Sequence, residues 1–355
     1  MIINEKKSFF LRKFVEACAA LFFALFVSGI IILVSGNDPL KAFQALITGS
    51  VGSVDSIILS LQKTIPLIFT GLSVAIGFKC GLFNIGAEGQ LYIGAIIAAW
   101  SGLFFPDLSG FIKLPFILLL SILGGALWGF FPGYLKAKKG VHEVLTTIMM
   151  NYAAIHLTLL LVKGPLRGDP HIVKTEMLPA SSRLPVLFSS GALTLSLGLF
   201  IAVLIAFALH FFLNSTTYGY KIRAVGRSRE AARAAGFNVK RLIILAMVIA
   251  GGLAGLGGAV EVTGLHHTFY GQFSPGYGFD GIAVALLASN NPIAVIFTAF
   301  LFGALRAADR TMQLSAGVPH QLVLIIQGLV ILFVGIRYFF SRYLKNKKLK
   351  RVENV

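Results

Sequence analysis

Apolar runs long enough to cross a bilayer recur along this chain and are separated by short polar or charged stretches. A membrane helix needs about 20 consecutive apolar residues. That measure predicts spans near 14–34, 57–78, 82–104, 114–135, 143–162, 193–213, 242–263, 279–289, 292–308 and 319–339. The eighth is too short to cross alone, so a half-helix completed by the irregular Gly271–Gly278 segment is expected there. The pattern predicts an all-α integral membrane protein with about ten transmembrane helices. It forms a single transmembrane domain over 1–355: a cytoplasmic N-terminus at 1–13, a membrane body at 14–339 and a basic tail at 340–355.

Composition agrees. Of 355 residues, 56% are hydrophobic and 13% charged, against about 25% charged in soluble domains. The net charge of +17 does not point to nucleic acid, because Lys and Arg cluster between apolar runs and at both ends rather than along one folded face. With both ends inside, the inner segments carry 22 Lys and Arg and the outer loops 7. Four of those 7 fall in one long loop, where charge counts least, so the excess predicts a multi-pass protein with both termini cytoplasmic. Cys18 and Cys80 lie in or beside apolar runs and read as small buried hydrophobes. His266 and His267, adjacent and without a third ligand, make a poor metal site, so no metal is expected and a solvated loop touching a delivery protein is preferred.

An internal echo links Gly125-Ala126-Leu127 and Gly140-Val141-His142 with Gly303-Ala304-Leu305 and Gly317-Val318-Pro319-His320. It suggests two inverted halves, each with a broken helix near the membrane centre, as in proteins that alternate access across a bilayer. Gly125, Gly129 and Gly133, and Gly251, Gly255 and Ala259, recur every four residues and predict close helix packing within one subunit.

The most polar internal stretch is Asn214–Arg241. Within it, Ser228 fits a helix cap, Glu230 suits the positive end of a helix, and Gly236 fits a left-handed stop. A two-turn helix with an alanine face results, ringed by Arg229, Arg233, Lys240 and Arg241. Polar groups within spans are costly and each requires a reason. Glu88, flanked by Gly86 and Gly89, follows Asn84, which can cap a helix restarting after a break. Phe279 and Asp280 sit between Gly278 and Gly281 in the second half. For both carboxylates two roles fit: facing a central pathway, or satisfying backbone amides and a partner such as Lys79. Asn151 and Tyr152 fit the same cavity or an interhelical hydrogen bond.

Glu230-Ala231-Ala232, with Gly236 after three more residues, resembles the EAA coupling loop of ABC importer permeases. Phe83-Asn84-Ile85-Gly86-Ala87-Glu88-Gly89-Gln90 is similar to the signature of the branched-chain amino acid and simple-sugar permease superfamily, most of all its nucleoside branch. Gly278–Ala283 and Asn290-Asn291-Pro292 extend the likeness over nearly the whole chain. The resemblance implies a non-catalytic permease of a nucleoside or simple-sugar importer in the bacterial cytoplasmic membrane. Its implied partners are an ATP-binding subunit docking on 214–241, a second and paralogous permease, and a substrate-binding lipoprotein. ATPase coupling then falls to Arg229, Glu230, Ala231, Ala232, Arg233 and Gly236, and the substrate pathway to Asn84, Glu88, Gln90, Asn151, Tyr152, Phe279 and Asp280. No Gly-Lys dipeptide occurs in the chain, so no Walker-type phosphate loop is present. No cofactor is expected on this chain, with ATP and Mg on the partner. Two other classes remain open: an ion- or proton-coupled secondary transporter using Glu88 and Asp280, and a membrane enzyme, for which no catalytic motif is found.

Overall fold

The computed structural model describes residues 22–104, 109–191, 193–329 and 332–333. The expected basic N-terminus, Cys18, the start of the first span, the end of the last and the basic tail lie outside the described residues. In chain order the helices are α1 (Phe22–Val34), α2 (Pro39–Val51), α3 (Val54–Lys79), α4 (Ala87–Phe104), α5 (Gly110–Tyr134) and α6 (Glu143–Lys163). A hairpin of β1 (Val186–Ser190) and β2 (Leu193–Ser196) follows. Then come α7 (Gly198–Ser215), α8 (Thr217–Arg227), α9 (Arg229–Ala234), α10 (Val239–Glu261), α11 (Tyr277–Leu287), α12 (Pro292–Ala316) and α13 (His320–Leu329). Among the described residues, six helical segments are long and apolar enough to cross a membrane, and α1, α11 and α13 are shorter apolar helices.

Two compact units divide the chain. One comprises the described residues up to Ser56 and from Leu305, with a core of Ile32, Ala42, Ala45, Met312, Val318, Val323 and Ile326. Asp38 starts α2 by accepting from Leu40 N–H at 2.9 Å, with Pro39 at the first helical position, where its missing N–H costs nothing. The sequence pattern did not predict α2, whose 13 residues are too few for a span.

The other unit, Ile57–Ala304, is built around α3, α4 and α10. In the most apolar window of α3 and of α10, 78% and 72% of residues are buried, against 22%, 22% and 28% for α5, α6 and α7. The first pair is therefore central, and the other three helices turn apolar faces outward. Helix α4 is nearly sheathed by protein, with only Ile97 partly exposed and Trp100, Leu103 and Phe104 reaching out at its end. Glycines permit this enclosure: a methyl group at Gly125 would stand 2.3 Å from Gly251 O, and one at Gly94 2.1 Å from Gly255 O. The expected glycine ladders thus face each other across α5 and α10 within one subunit.

Candidate functional site

Helix α3 ends where Leu82 N–H turns back to Gly77 O at 2.9 Å and Gly81 takes a left-handed φ of +71°. The backbone stays irregular until α4 restarts at Ala87. Buried side chains tie down this break. Asn84 Oδ1 accepts from Gly86 N–H at 3.0 Å, while its Nδ2 donates to Gln90 Oε1 at 3.2 Å and Ser73 Oγ at 3.3 Å. Asn151 on α6 closes the other side, accepting from Gly89 N–H at 2.8 Å and donating to Ile85 O at 3.0 Å. Glu88 accepts from Gly278 N–H at 2.5 Å, which fixes the start of α11 against the start of α4.

Four of the expected pathway residues, Asn84, Glu88, Gln90 and Asn151, are therefore brought together, each no more than 2% exposed. Asn84 holds a tight turn two residues long rather than capping α4 directly. Tyr152 is not brought in: it lies on the outer face of α6, 63% exposed. Phe279 is 48% exposed and Asp280 half-buried in the first turn of α11, so of that segment Gly278 makes the contact with Glu88. Ser73 also belongs to the cluster, though no sequence motif marks it. Its only signal was a serine inside an apolar run.

The polar stretch after α7 folds into two helices where one was expected. Thr216 caps α8 through Gly219 N–H at 3.0 Å. Ser228 caps α9 through Ala231 N–H at 3.2 Å, and Gly236, at φ +79°, ends it. Ala232 faces inward at 3% exposure, whereas Glu230, Ala231, Arg233, Ala234 and Ala235 face outward. Arg229 turns back, donating from Nη2 to Gly81 O at 3.2 Å. Gly226 lies against the same turn: a methyl group there would stand 2.1 Å from Lys79 O. The segment bearing α9 is thus seated on the turn that opens the buried break.

At the far end of α10, two loops meet. Thr175 N–H donates to Phe269 O at 2.8 Å, and Leu178 N–H to His267 O at 2.8 Å. Asp169 is held below the usual carboxylate range, chiefly by the His171 N–H and then by Lys174 at 3.2 Å. Burial, with Arg183 nearby, pushes His267 below the ordinary imidazole value. Among the described residues no group of three His, Cys, Asp or Glu side chains is placed to hold a metal.

Comparison with known proteins gives the family. The family described as "Branched-chain amino acid transport system / permease component" matches residues 56–335. The chain belongs to this permease family. The permease is 39% identical over 340 residues to the guanosine ABC transporter permease protein NupP of Bacillus subtilis, covering 94% of this chain and 96% of that one. It is 35% identical to the nucleoside ABC transporter permease protein NupB of Lactococcus lactis, over 95% and 94% of the two chains. The glucose ABC transporter permease protein TsgB13 of Haloferax volcanii is 34% identical, over 90% and 86%. Family membership and the six long apolar helices make this chain a multi-pass membrane permease component of an ABC transporter.

Proposed function

We propose that this permease carries nucleosides, or a related simple sugar, inward across the cytoplasmic membrane, driven by a separate ATPase subunit seated on the 214–241 segment. The observation that carries the proposal is α9, a capped two-turn helix whose exposed alanines and arginines form a small knob joined through Arg229 and Gly226 to the buried break. Two relatives whose names specify guanosine and nucleosides favour that substrate class, and the glucose relative marks the related alternative. Asn84, Glu88, Gln90 and Asn151 then flank the route, with Asp280, Phe279 and Tyr152 as further pathway positions. Amides suit a neutral, hydrogen-bonding solute better than an ion. This chain binds no cofactor, and ATP and Mg reside on the partner.

The chain acts as one permease domain with ten crossings in two inverted halves and both termini cytoplasmic. Gly140 and Gly317, at φ +72° and +67°, each lead into a helix through a similar sequence, which supports the internal echo. A paralogous second permease and a substrate-binding lipoprotein complete the transporter. The test is uptake of labelled guanosine and of glucose in cells lacking this chain, complemented with wild type, Glu230→Ala or Gly236→Val. Loss of ATP-dependent uptake with unchanged membrane levels is expected for both variants. Undiminished uptake in both removes the coupling role, and uptake that survives ATP depletion but collapses with an uncoupler replaces the ABC mechanism by ion coupling.

A further inference from the structure

Beside the exposed face of α9 a shallow pocket opens toward α8. Tyr220, Phe237, Ala231 and Ala235 line it, together with Arg223 and Arg227. The two arginines are four residues apart and so share one face of α8. Arg223 brings a buried Nε–H that meets no acceptor among the described residues, an arrangement that costs free energy until an acceptor arrives. Between Asn214 and Arg241 there are seven Lys and Arg and a single carboxylate, Glu230, which does not line the pocket.

The neighbouring cation is otherwise engaged: Lys221 Nζ lies 5.5 Å from the Tyr218 ring centre and 5.7 Å from that of Phe237. The Tyr220 and Phe237 rings meet edge-on at 6.2 Å, which stiffens that part of the lining. What is left is a largely apolar recess of about 320 Å³, roomy enough for a carboxylate side chain, beside two guanidinium groups. A guanidinium presents a planar fork that matches a carboxylate in a two-point hydrogen bond.

We propose that this pocket receives an Asp or Glu side chain of the ATPase subunit, its carboxylate held by Arg223 and Arg227 and its stem resting against the α8–α9 alanines. The inference rests on the coupling role proposed for α9, and it adds the chemistry of the partner: an acidic residue placed next to the groove that takes the alanine knob. A protein carboxylate is favoured over a lipid phosphate because the pocket is continuous with the exposed alanines, which a headgroup has no use for.

Binding of purified ATPase subunit to the full-length permease in nanodiscs, followed across a range of salt, tests it. Arg223→Glu/Arg227→Glu is expected to weaken binding at least about thirtyfold and to flatten its salt dependence, with Arg223→Lys/Arg227→Lys between the two. Reversing the matching acidic residue on the ATPase is expected to restore binding to the Glu pair. Should the Glu pair misfold, a photo-crosslinker at the exposed Tyr220 in otherwise wild-type permease is expected to label an ATPase peptide containing Asp or Glu. Wild-type affinity and salt slope in the Glu pair, or crosslinks confined to anionic lipid, overturn the proposal. If the Glu pair binds normally while Glu230→Ala still abolishes uptake, the pocket fails and the coupling role survives.

Discussion

Replacing Gly226 by alanine perturbs the seat of the proposed coupling segment while leaving α9 itself unchanged. The new methyl group would lie 2.1 Å from Lys79 O and 2.8 Å from the same carbonyl carbon. An unstrained carbon–oxygen contact is about 3.3 Å, so α8 has to retreat by about 1.2 Å from the turn after α3. A Cβ is fixed by its own backbone and the group it meets is a backbone carbonyl, so no rotamer change relieves the clash. A displacement of that size along the Arg229 Nη2 to Gly81 O bond, now 3.2 Å, takes it beyond hydrogen-bonding range. Overpacking of this kind costs roughly 1–3 kcal/mol, and the exposed arginine contact adds little to that. About 2 kcal/mol corresponds to roughly a thirtyfold shift away from the seated arrangement.

The alanine face of α9 is untouched by the change, so the ATPase subunit should still assemble with Gly226→Ala. The reconstituted transporter should then hydrolyse ATP with substrate uptake reduced several-fold per ATP consumed. Asn214→Ala, at an exposed position just before α8, serves as the control and should leave that ratio unchanged. Wild-type uptake per ATP in Gly226→Ala, with wild-type thermal stability, would refute the idea that close backbone approach matters here.

Three further substitutions probe the buried contacts of the fold. Asn151→Ala strands Gly89 N–H and Ile85 O in a buried site and should cost about 2–4 kcal/mol, read as a lower unfolding midpoint in detergent; Asn151→Asp, which keeps the acceptor alone, should fall between. Gly251→Ala, whose methyl would stand 2.2 Å from Gly125 O, should destabilise by about 1–3 kcal/mol, and an unchanged midpoint would disprove the tight α5–α10 seam. His267 favours its neutral form in the fold, so its contribution is complete above the ordinary value of 6.5 and is lost as pH falls below it. Wild type should therefore lose stability relative to His267→Asn between neutral and mildly acid pH, Asn being chosen because position 267 has a left-handed φ of +54°; parallel pH curves would sink the assignment.

Much of this architecture was legible in the amino-acid order because a bilayer imposes a length and an apolarity that few other environments demand. The boundaries of α3, α6, α10 and α11 fall within a few residues of the expected spans. Ser228 and Gly236 disclosed α9 because caps are local chemistry. Helices α2 and α8 were missed because each is short and half polar, a pattern that ordinary loops share. Tyr152 was expected beside Asn151, but adjacent residues on a helix point about 100° apart, and only Asn151 faces α4. Which side chains would satisfy the break before α4 depended on α6 and α11 arriving from 62 and 190 residues away, information no local motif contains.

On the proposed route, the amide cluster around Asn84 would also set how tightly the resting protein can seal. The side-chain amides of Asn84 and Asn151 already have mates inside the protein, so water threading through would have to break those bonds in a place where lone polar groups cost several kcal/mol. A bare cation finds few free ligands to trade for its hydration shell, whereas a solute carrying its own hydroxyls and ring nitrogens can exchange partners one for one. Leak-tightness and the taste for uncharged, hydrogen-bond-rich cargo would then be two faces of one arrangement, and proton conductance through the idle protein should stay at background until Asn84 or Asn151 is cut away.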